Sequence, residues 1–266
     1  MKEDKNIQSN ARRMLNKVPE ITLFFWIIKI LCTTVGETGA DFLNEKMNLG
    51  LDGVTIIVGV LLAATLVFQF LSKKYIPGIY WLSVVLISIV GTLITDNLTD
   101  SLGVPLQTTT IIFAISLAIV FAVWYKKEKT LSIHSITTTR REAFYWLAIL
   151  FTFALGTAAG DLLAESIDLG YLLSAIIFGA LIALIAVSYF GFKVNAVLTF
   201  WLACILTRPL GASIGDYLSQ DADSGGLELG PEITSVIFLA IILGIVIYLS
   251  ITKKDVISKD KTPKVQ

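Results

Sequence analysis

Four aspartates, Asp41, Asp96, Asp161 and Asp216, lie inside apolar segments of this chain, each fifteen residues after a tryptophan (Trp26, Trp81, Trp146 and Trp201). A charged side chain at the centre of a membrane span costs about 2.5–3.5 kcal/mol on insertion scales, so acids there face a bundle interior or a water-filled cavity and are functional by default. Steps of four residues keep to one face of a helix, with slow drift. Positions seven, eleven, fifteen and nineteen after each Trp read Thr33, Glu37, Asp41, Glu45; Ser88, Thr92, Asp96, Asp100; Phe153, Thr157, Asp161, Glu165; and Arg208, Ala212, Asp216, Gln220. Four such stripes in one orientation converge on a common axis. The chemistry they can do is to take up protons or cations, because several carboxylates in a low-dielectric site cannot all ionise without a compensating positive charge.

The donor set narrows the cargo. The one histidine, His134, falls in a basic loop, and Met1, Met14 and Met47 avoid the span centres. Cys32 and Cys204 lie mid-span without a C-x-x-C neighbour, so they read as small buried residues with no disulfide framework. Carboxylates, hydroxyls and carbonyls suit protons, Na+, Mg2+, Ca2+ or Mn2+, whereas Cu(I) and Zn2+ sites want Cys, Met or His. Asp41, Glu37 and Asp161 are the expected ligands of a hard metal ion, and Thr33, Thr92, Thr157 and Ser88 the supporting polar stripe. No cofactor is expected.

Two residues break the symmetry of the stripes. Glu37 has no counterpart in the other three stripes. Arg208 stands mid-span before Pro209, which removes a helical hydrogen bond and is expected to kink the helix. Arg208 should pair with Asp216 or Glu37, as a tethered counter-charge that the cargo displaces. Lys29, also within a span, is expected to snorkel to the inner boundary.

The elements that position these groups form a repeat. The pattern W-x9-G-x4-D-x-L occurs four times, at offsets of 55, 65 and 55 residues, with glycines 36, 91, 156 and 211 and leucines 43, 98, 163 and 218. A period of this size means an array of one supersecondary unit. Of the 266 residues 55% are hydrophobic and 16% charged, and mean hydropathy is +0.77, more apolar than a soluble domain of that length requires. Apolar runs near the length of a membrane span fall at 21–43, 54–72, 79–98, 106–125, 144–164, 172–190, 197–218 and 233–251, two per repeat. The expected fold is all-α: a polytopic membrane protein of eight transmembrane helices, as four parallel two-helix repeats in two halves. Its segments are a tail (1–20), repeat 1 (21–72), repeat 2 (73–125), a basic linker (126–141), repeat 3 (142–190), repeat 4 (191–252) and a second tail (253–266). In each repeat the first helix crosses outward to its Asp and the second returns, so all four repeats share one orientation. The first helices should line the interior. About 22 Å of helix rise separates Trp from Asp. The acid therefore sits in the outer third, at a helix C-terminus whose dipole opposes an anion.

Net charge is zero, yet eighteen of the 21 Lys and Arg lie in the tails and the loops between repeats, and Lys46 alone in the loops within repeats. The opposite face carries Glu45, Asp52, Asp100, Glu165, Asp168, Asp221, Asp223, Glu228 and Glu232. Basic loops mark the cytoplasmic side, so both termini are expected there. The basic residues thereby serve topology, and nucleic acid is not an expected partner. The polar first twenty residues and the long first span argue against a cleaved signal peptide. The aromatic clusters at repeat starts (Phe24-Phe25-Trp26, Tyr80-Trp81, Phe144-Tyr145-Trp146, Phe200-Trp201) read as an interfacial belt.

No H-E-x-x-H or P-loop is present. Gly160-Asp161 and Gly215-Asp216 fall short of the G-x-G-D of intramembrane aspartyl proteases, because Ala158 and Ser213 replace the first glycine. The expectation is a non-enzyme: a secondary transporter of a cation, proton-coupled, taking a hard divalent metal or Na+. A non-transporting subunit or sensor would need a dry interior, and a small organic-cation exporter would use cation–π contacts.

The repeat resembles that of a family of bacterial membrane proteins built from four tandem two-helix repeats, each with a Trp near its start. The resemblance covers about residues 20–252 and rests on the Trp, Gly and Asp positions quoted, whose repetition makes it specific. It implies an eight-helix, multi-pass protein of the bacterial cytoplasmic membrane. The family has no assigned activity and supplies no catalytic residues, so function rests on the site. The expected partners are the lipid bilayer and a small cation or proton, and a homo-oligomer is compatible with the sequence. A Lys46→Cys chain should be labelled by an impermeant thiol reagent from outside the cell, and a Lys129→Cys chain only from the cytoplasm. The reverse pattern overturns the orientation.

Overall fold

The computed structural model describes residues 16–46 and 50–256. The basic tail residues Lys2, Lys5, Arg12, Arg13, Lys259, Lys261 and Lys264, the loop residues 47–49, and the side chains of Glu45, Lys46 and Glu165 lie outside the described residues. Eight helices cross the molecule: α1 (Leu23–Asp41), α2 (Gly50–Leu71), α3 (Pro77–Asp96), α4 (Leu106–Glu128), α5 (Thr139–Asp161), α6 (Tyr171–Phe192), α7 (Ala196–Ser219) and α8 (Pro231–Thr252). Each is long and apolar enough to span a bilayer, so the chain is an all-helical, multi-pass membrane protein.

Local sequence sets the helix ends. The Thr22 hydroxyl accepts from the Phe25 N–H (3.4 Å) and Asn195 Oδ1 accepts from Val197 N–H (2.9 Å), capping α1 and α7. The glycine of each Leu-Gly pair in the loops within repeats, Gly50, Gly103, Gly170 and Gly230, has φ of +69°, +67°, +74° and +75°. Only glycine adopts that region without cost, which accounts for its recurrence there. Three second helices stop instead at left-handed lysines, Lys129, Lys193 and Lys253, whose charge complements a helix C-terminus.

The odd-numbered helices form a closed ring: α1 packs on α3, α3 on α5, α5 on α7, and α7 back on α1. The repeated glycine makes each contact. A Cβ added at Gly36 would overlap Ser88, at Gly91 Phe153, at Gly156 Arg208, and at Gly211 Thr33. In every case the glycine ten residues after a Trp meets the residue seven after the next Trp, and repeat 4 meets repeat 1. Hydroxyls reinforce the close approach: Thr92 Oγ1 donates to Gly36 O (3.2 Å), Thr95 Oγ1 to Ala154 O (3.1 Å) and Thr33 Oγ1 to Thr207 O (3.1 Å). The even helices lie outside, each packed mainly on an inner helix other than its own hairpin partner. α2 covers α3, α4 covers α5, α6 covers α7, and α8 covers α1. Inner spans are 56–72% buried and outer spans 11–28%, so the outer four supply the lipid-facing surface.

The aromatic clusters do not form a belt. Trp81, Trp146 and Trp201 are 2%, 3% and 4% exposed. The residue before each Trp packs on the Trp of the next repeat: Phe25 on Trp81 (centroids 5.6 Å), Tyr80 on Trp146 (5.5 Å), Tyr145 on Trp201 (6.2 Å) and Phe200 on Trp26 (5.8 Å). The Tyr80 and Tyr145 hydroxyls share a hydrogen bond of 2.5 Å. Closing the ring turns these aromatics inward, and they floor the bundle at the end that carries the basic loops.

Across that end lies the segment before α1. Lys17 N–H donates to Ile136 O (3.1 Å), and its ammonium, in the buried side of the contact, pairs with Glu142 (2.6 Å) and donates to Phe70 O (2.9 Å). Gln69 Nε2 donates to the other Glu142 oxygen (3.0 Å). Glu20 N–H donates to Asp255 O (2.9 Å), and the Tyr75 hydroxyl donates to Asp255 Oδ2 (2.6 Å).

The ring contacts generate a test. Gly36→Ala and Gly211→Ala should each lower stability by about 1–3 kcal/mol, the usual cost of overpacking. Gly59→Ala and Gly244→Ala, on outer helices with open space around them, should be neutral or stabilising by up to about 1 kcal/mol. Unfolding in detergent, followed by dye reaction with the buried Cys32 and Cys204 thiols, measures both.

Candidate functional site

The stripes stack as layers inside the ring. Three residues past each Trp are Lys29, Val84, Ile149 and Cys204; seven past are Thr33, Ser88, Phe153 and Arg208; eleven past are Glu37, Thr92, Thr157 and Ala212. Every residue of these three layers is closed off by its neighbours to 6% exposure or less. In the last layer Asp216 is buried, while Asp41, Asp96 and Asp161 are partly exposed. The interior therefore runs from a dry aromatic floor to an acidic, accessible end.

Arg208 holds the middle and is fully buried. Its Nη1 donates to Thr33 O (3.0 Å), and its Nη2 to Glu37 Oε2 (2.8 Å), Thr157 Oγ1 (2.7 Å) and the Thr92 hydroxyl. One guanidinium on α7 thereby touches the other three inner helices, through the residues eleven past Trp in each. Glu37, one of the two acids expected, is an ion partner of Arg208. Helix α7 continues through Pro209 as one element from Ala196 to Ser219. Gly156 and Gly160 of α5 make room for the Arg208 stem and the Pro209 ring, so neighbouring packing takes the place of the missing backbone bond.

Above Arg208 the acids gather unevenly. Carboxylate oxygens of Glu37, Asp161 and Asp216, from three inner helices, lie within 4.8 Å of one another. Asp41, expected in the metal trio, is outside it. It sits one turn beyond Glu37 on the same helix, and Gln220 Nε2 reaches its Oδ2 (3.4 Å). Asp96 lies within electrostatic range of Glu37, Asp41, Asp100 and Arg208. The hydroxyl of Ser88 has no hydrogen-bond partner among the described residues and faces Gly36 rather than the guanidinium.

One feature had no counterpart in the sequence, and a second departs from what the sequence led us to expect. Asp41, Asp96 and Asp161 each end an α-helix that widens at once into a π-helical turn, Phe42–Lys46, Asn97–Ser101 and Leu162–Ser166. Such turns concentrate at functional sites. Repeat 4 lacks one, and its helix runs on to Ser219. The second feature is Lys29. It does not snorkel: its side chain is buried and its ammonium lies over the Phe153 ring, 4.4 Å from the centroid. The aromatic floor closes the route to the basic end. The signal was the mismatch of both residues with their layers, a lysine among Val84, Ile149 and Cys204 and a phenylalanine among Thr33, Ser88 and Arg208.

A ring of hard oxygen donors around a tethered cation can hold a positive charge and exchange it. The model of a family described as Repeat of Unknown Function (DUF347) matches the chain four times, at residues 24–75, 79–130, 144–195 and 199–255. Each match takes in one inner and one outer helix. No curated protein and no solved structure matches the chain.

The buried pair supplies the next prediction. Arg208→Met should destabilise the protein by about 3–5 kcal/mol, since it strands Glu37, and Arg208→Met/Glu37→Met should recover most of that loss. Equal stability of the two variants in detergent unfolding would mean that the pair is not coupled.

Proposed function

The chain belongs to this repeat family, and we propose that it is a secondary transporter of a cation, bound at the acidic end by Glu37, Asp161 and Asp216 with Asp41 and Asp96 at the rim. One observation carries the reading: carboxylates from three inner helices within 4.8 Å of one another, beside the buried Arg208, which pairs with Glu37. Groups so close cannot all be charged unless a cation or protons join them. Their oxygens suit a hard cation, for which Mn2+ is a convenient probe.

Arg208 acts as the resident counter-charge. Without cargo it holds Glu37; the incoming cation takes over Glu37, and the guanidinium keeps its bonds to Thr33 O, Thr92 and Thr157. Thr33, Thr92 and Thr157 thus hold Arg208 through the exchange. The basic loops support cytoplasmic termini in a bacterial cytoplasmic membrane, which makes the acidic mouth external and the aromatic floor the cytoplasmic closure. In that frame the structure corresponds to an outward-facing state, and inward release requires the Phe25, Tyr80, Tyr145 and Phe200 layer to part.

In proteoliposomes carrying a Mn2+-sensitive dye, Asp161→Asn and Asp216→Asn should each slow Mn2+ flux by about 10–100-fold, the range that even outer-shell partners of metal ligands command. Undiminished flux in the Asp161→Asn/Asp216→Asn double variant would sink the reading.

A further inference from the structure

Parting the aromatic floor does not by itself open the basic end, because two segments outside the eight helices lie across it. One is the strap of residues 16–22 before α1, and the other is the linker of residues 129–138 between α4 and α5. The linker is fixed to the floor: Trp201 Nε1 donates to Leu131 O (3.0 Å), and Ile133 and Ile136 are buried. The strap is fixed to the linker, since the Lys17 N–H donates to Ile136 O (3.1 Å). Val18 of the strap packs in the same apolar cluster as Trp81, Trp146 and Trp201. Strap and linker together form a lid on the floor.

The strap ties helices of three repeats. Lys17 Nζ donates to Phe70 O (2.9 Å) in the last turn of α2, where carbonyls have no partner within the helix. It also pairs with Glu142 Oε2 (2.6 Å) in the first turn of α5, one turn from the floor residues Tyr145 and Trp146. Gln69 Nε2 holds the other Glu142 oxygen (3.0 Å). Further along the strap, the Glu20 N–H donates to Asp255 O (2.9 Å) just past α8, and the Tyr75 hydroxyl donates to Asp255 Oδ2 (2.6 Å). While these bonds hold, the ends of α2, α5 and α8 cannot move apart.

The chemistry of the seal suits a contact that breaks. A buried ion pair adds little net stability, because the loss of hydration offsets the attraction. Lys17 and Glu142 are 7% and 1% exposed in the closed lid, and both regain water when the strap swings out. A strap of leucines in the same place would lose its burial on opening and gain nothing. Three acceptors of the lid are also buried with no hydrogen-bond partner among the described residues: Asn16 Oδ1, Gln69 Oε1 and Asp255 Oδ1. Each is better satisfied by water than by the closed lid. The seal is therefore polar where it is tied and incompletely bonded when shut.

We infer that the strap is an autoinhibitory latch: the Lys17 ammonium, seated between Glu142 and Phe70 O, holds the basic end closed, and its release precedes parting of the floor. The inference rests on the transport reading above, which requires the floor to part. It adds a gate outside the bundle to the cation site within it, operated by a segment that touches none of the site's carboxylates.

The chain's two cysteines, Cys32 and Cys204, report the gate. Both are buried, and Cys204 lies three residues past Trp201, just above the floor. Inverted bacterial membrane vesicles holding the full-length protein present the basic end to an impermeant maleimide, and right-side-out vesicles present the acidic end. Lys17→Met leaves Glu142 buried without its cation and should speed labelling about tenfold or more in inverted vesicles alone. A pair with only a structural role would speed labelling from both faces alike as the fold loosens. Lys17→Met/Glu142→Met removes both charges from the closed lid and should label more slowly than Lys17→Met. Should Lys17→Met fail to fold, Tyr75→Phe keeps the ring, frees the Asp255 carboxylate, and should speed labelling from the basic end about tenfold. Unchanged labelling in Lys17→Met or, where that variant does not fold, in Tyr75→Phe overturns the latch and leaves the transport reading standing, as does an equal gain from both faces. Absence of Mn2+ flux in wild-type proteoliposomes overturns the transport reading and the latch together.

Discussion

A guanidinium in the hydrocarbon depth of a membrane has no water to turn to, and every one of its bonds must come from protein. Arg208 meets that demand at Nη1 and Nη2 by drawing on all four inner helices: it is anchored on α7, bonds Thr33 O and Glu37 on α1, and bonds the hydroxyls of Thr92 on α3 and Thr157 on α5, while its Nε has no partner among the described residues. No smaller assembly of this chain could satisfy it. The ring must therefore close to the point where the glycines touch the neighbouring helices, and the tight layers above and below follow from that closure. The acids crowd at one end because the same closure brings their helices together.

Fourfold repetition and functional asymmetry divide the labour. The residues that build the ring recur in every repeat: Trp, the aromatic residue before it, and glycine ten later. Those that set the charge pattern occur once. Glu37, Arg208, Lys29 and Phe153 occupy layer positions where no other repeat carries the same residue type. A strictly symmetric ring would present four equal carboxylates with no fixed counter-charge. The single substitutions give the axis a resident cation and a preferred side, so Asp161 and Asp216 gather with Glu37 while Asp41 goes to Gln220.

The helices, the parallel repeats and the stripes were legible because each is periodic, and periodicity survives without knowledge of neighbours. The pairing of Glu37 with Arg208 was half legible: spacing allowed Asp216 too, and the cyclic offset of α7 against α1 is what brings Glu37 into reach. The role of the tryptophans was misread for a general reason. An aromatic residue near a helix end fits a lipid interface or a packed floor equally well, and the difference lies in whether the ring closes over it. Lys29 failed in the same way, since snorkelling presumes a free path to water and the floor removes that path. The π-helical turns after Asp41, Asp96 and Asp161 left no local mark at all, because a widened turn is chosen by packing rather than by propensity.

Each outer helix covers the inner helix of the following repeat, and the last covers the first. A ribosome delivers these parts in order. Helix α1 enters the bilayer carrying Lys29, Thr33 and Glu37, and the arginine that will neutralise Glu37 lies 171 residues downstream. At elongation rates of about 5–20 residues per second that interval is roughly ten to thirty seconds. During it the first helix holds its acid with no partner from the chain, so Glu37 must enter protonated or wait beside the insertion machinery. The protein is thus assembled like a loop of rope whose knot is tied last, and its first-made helix is among the last to find its place.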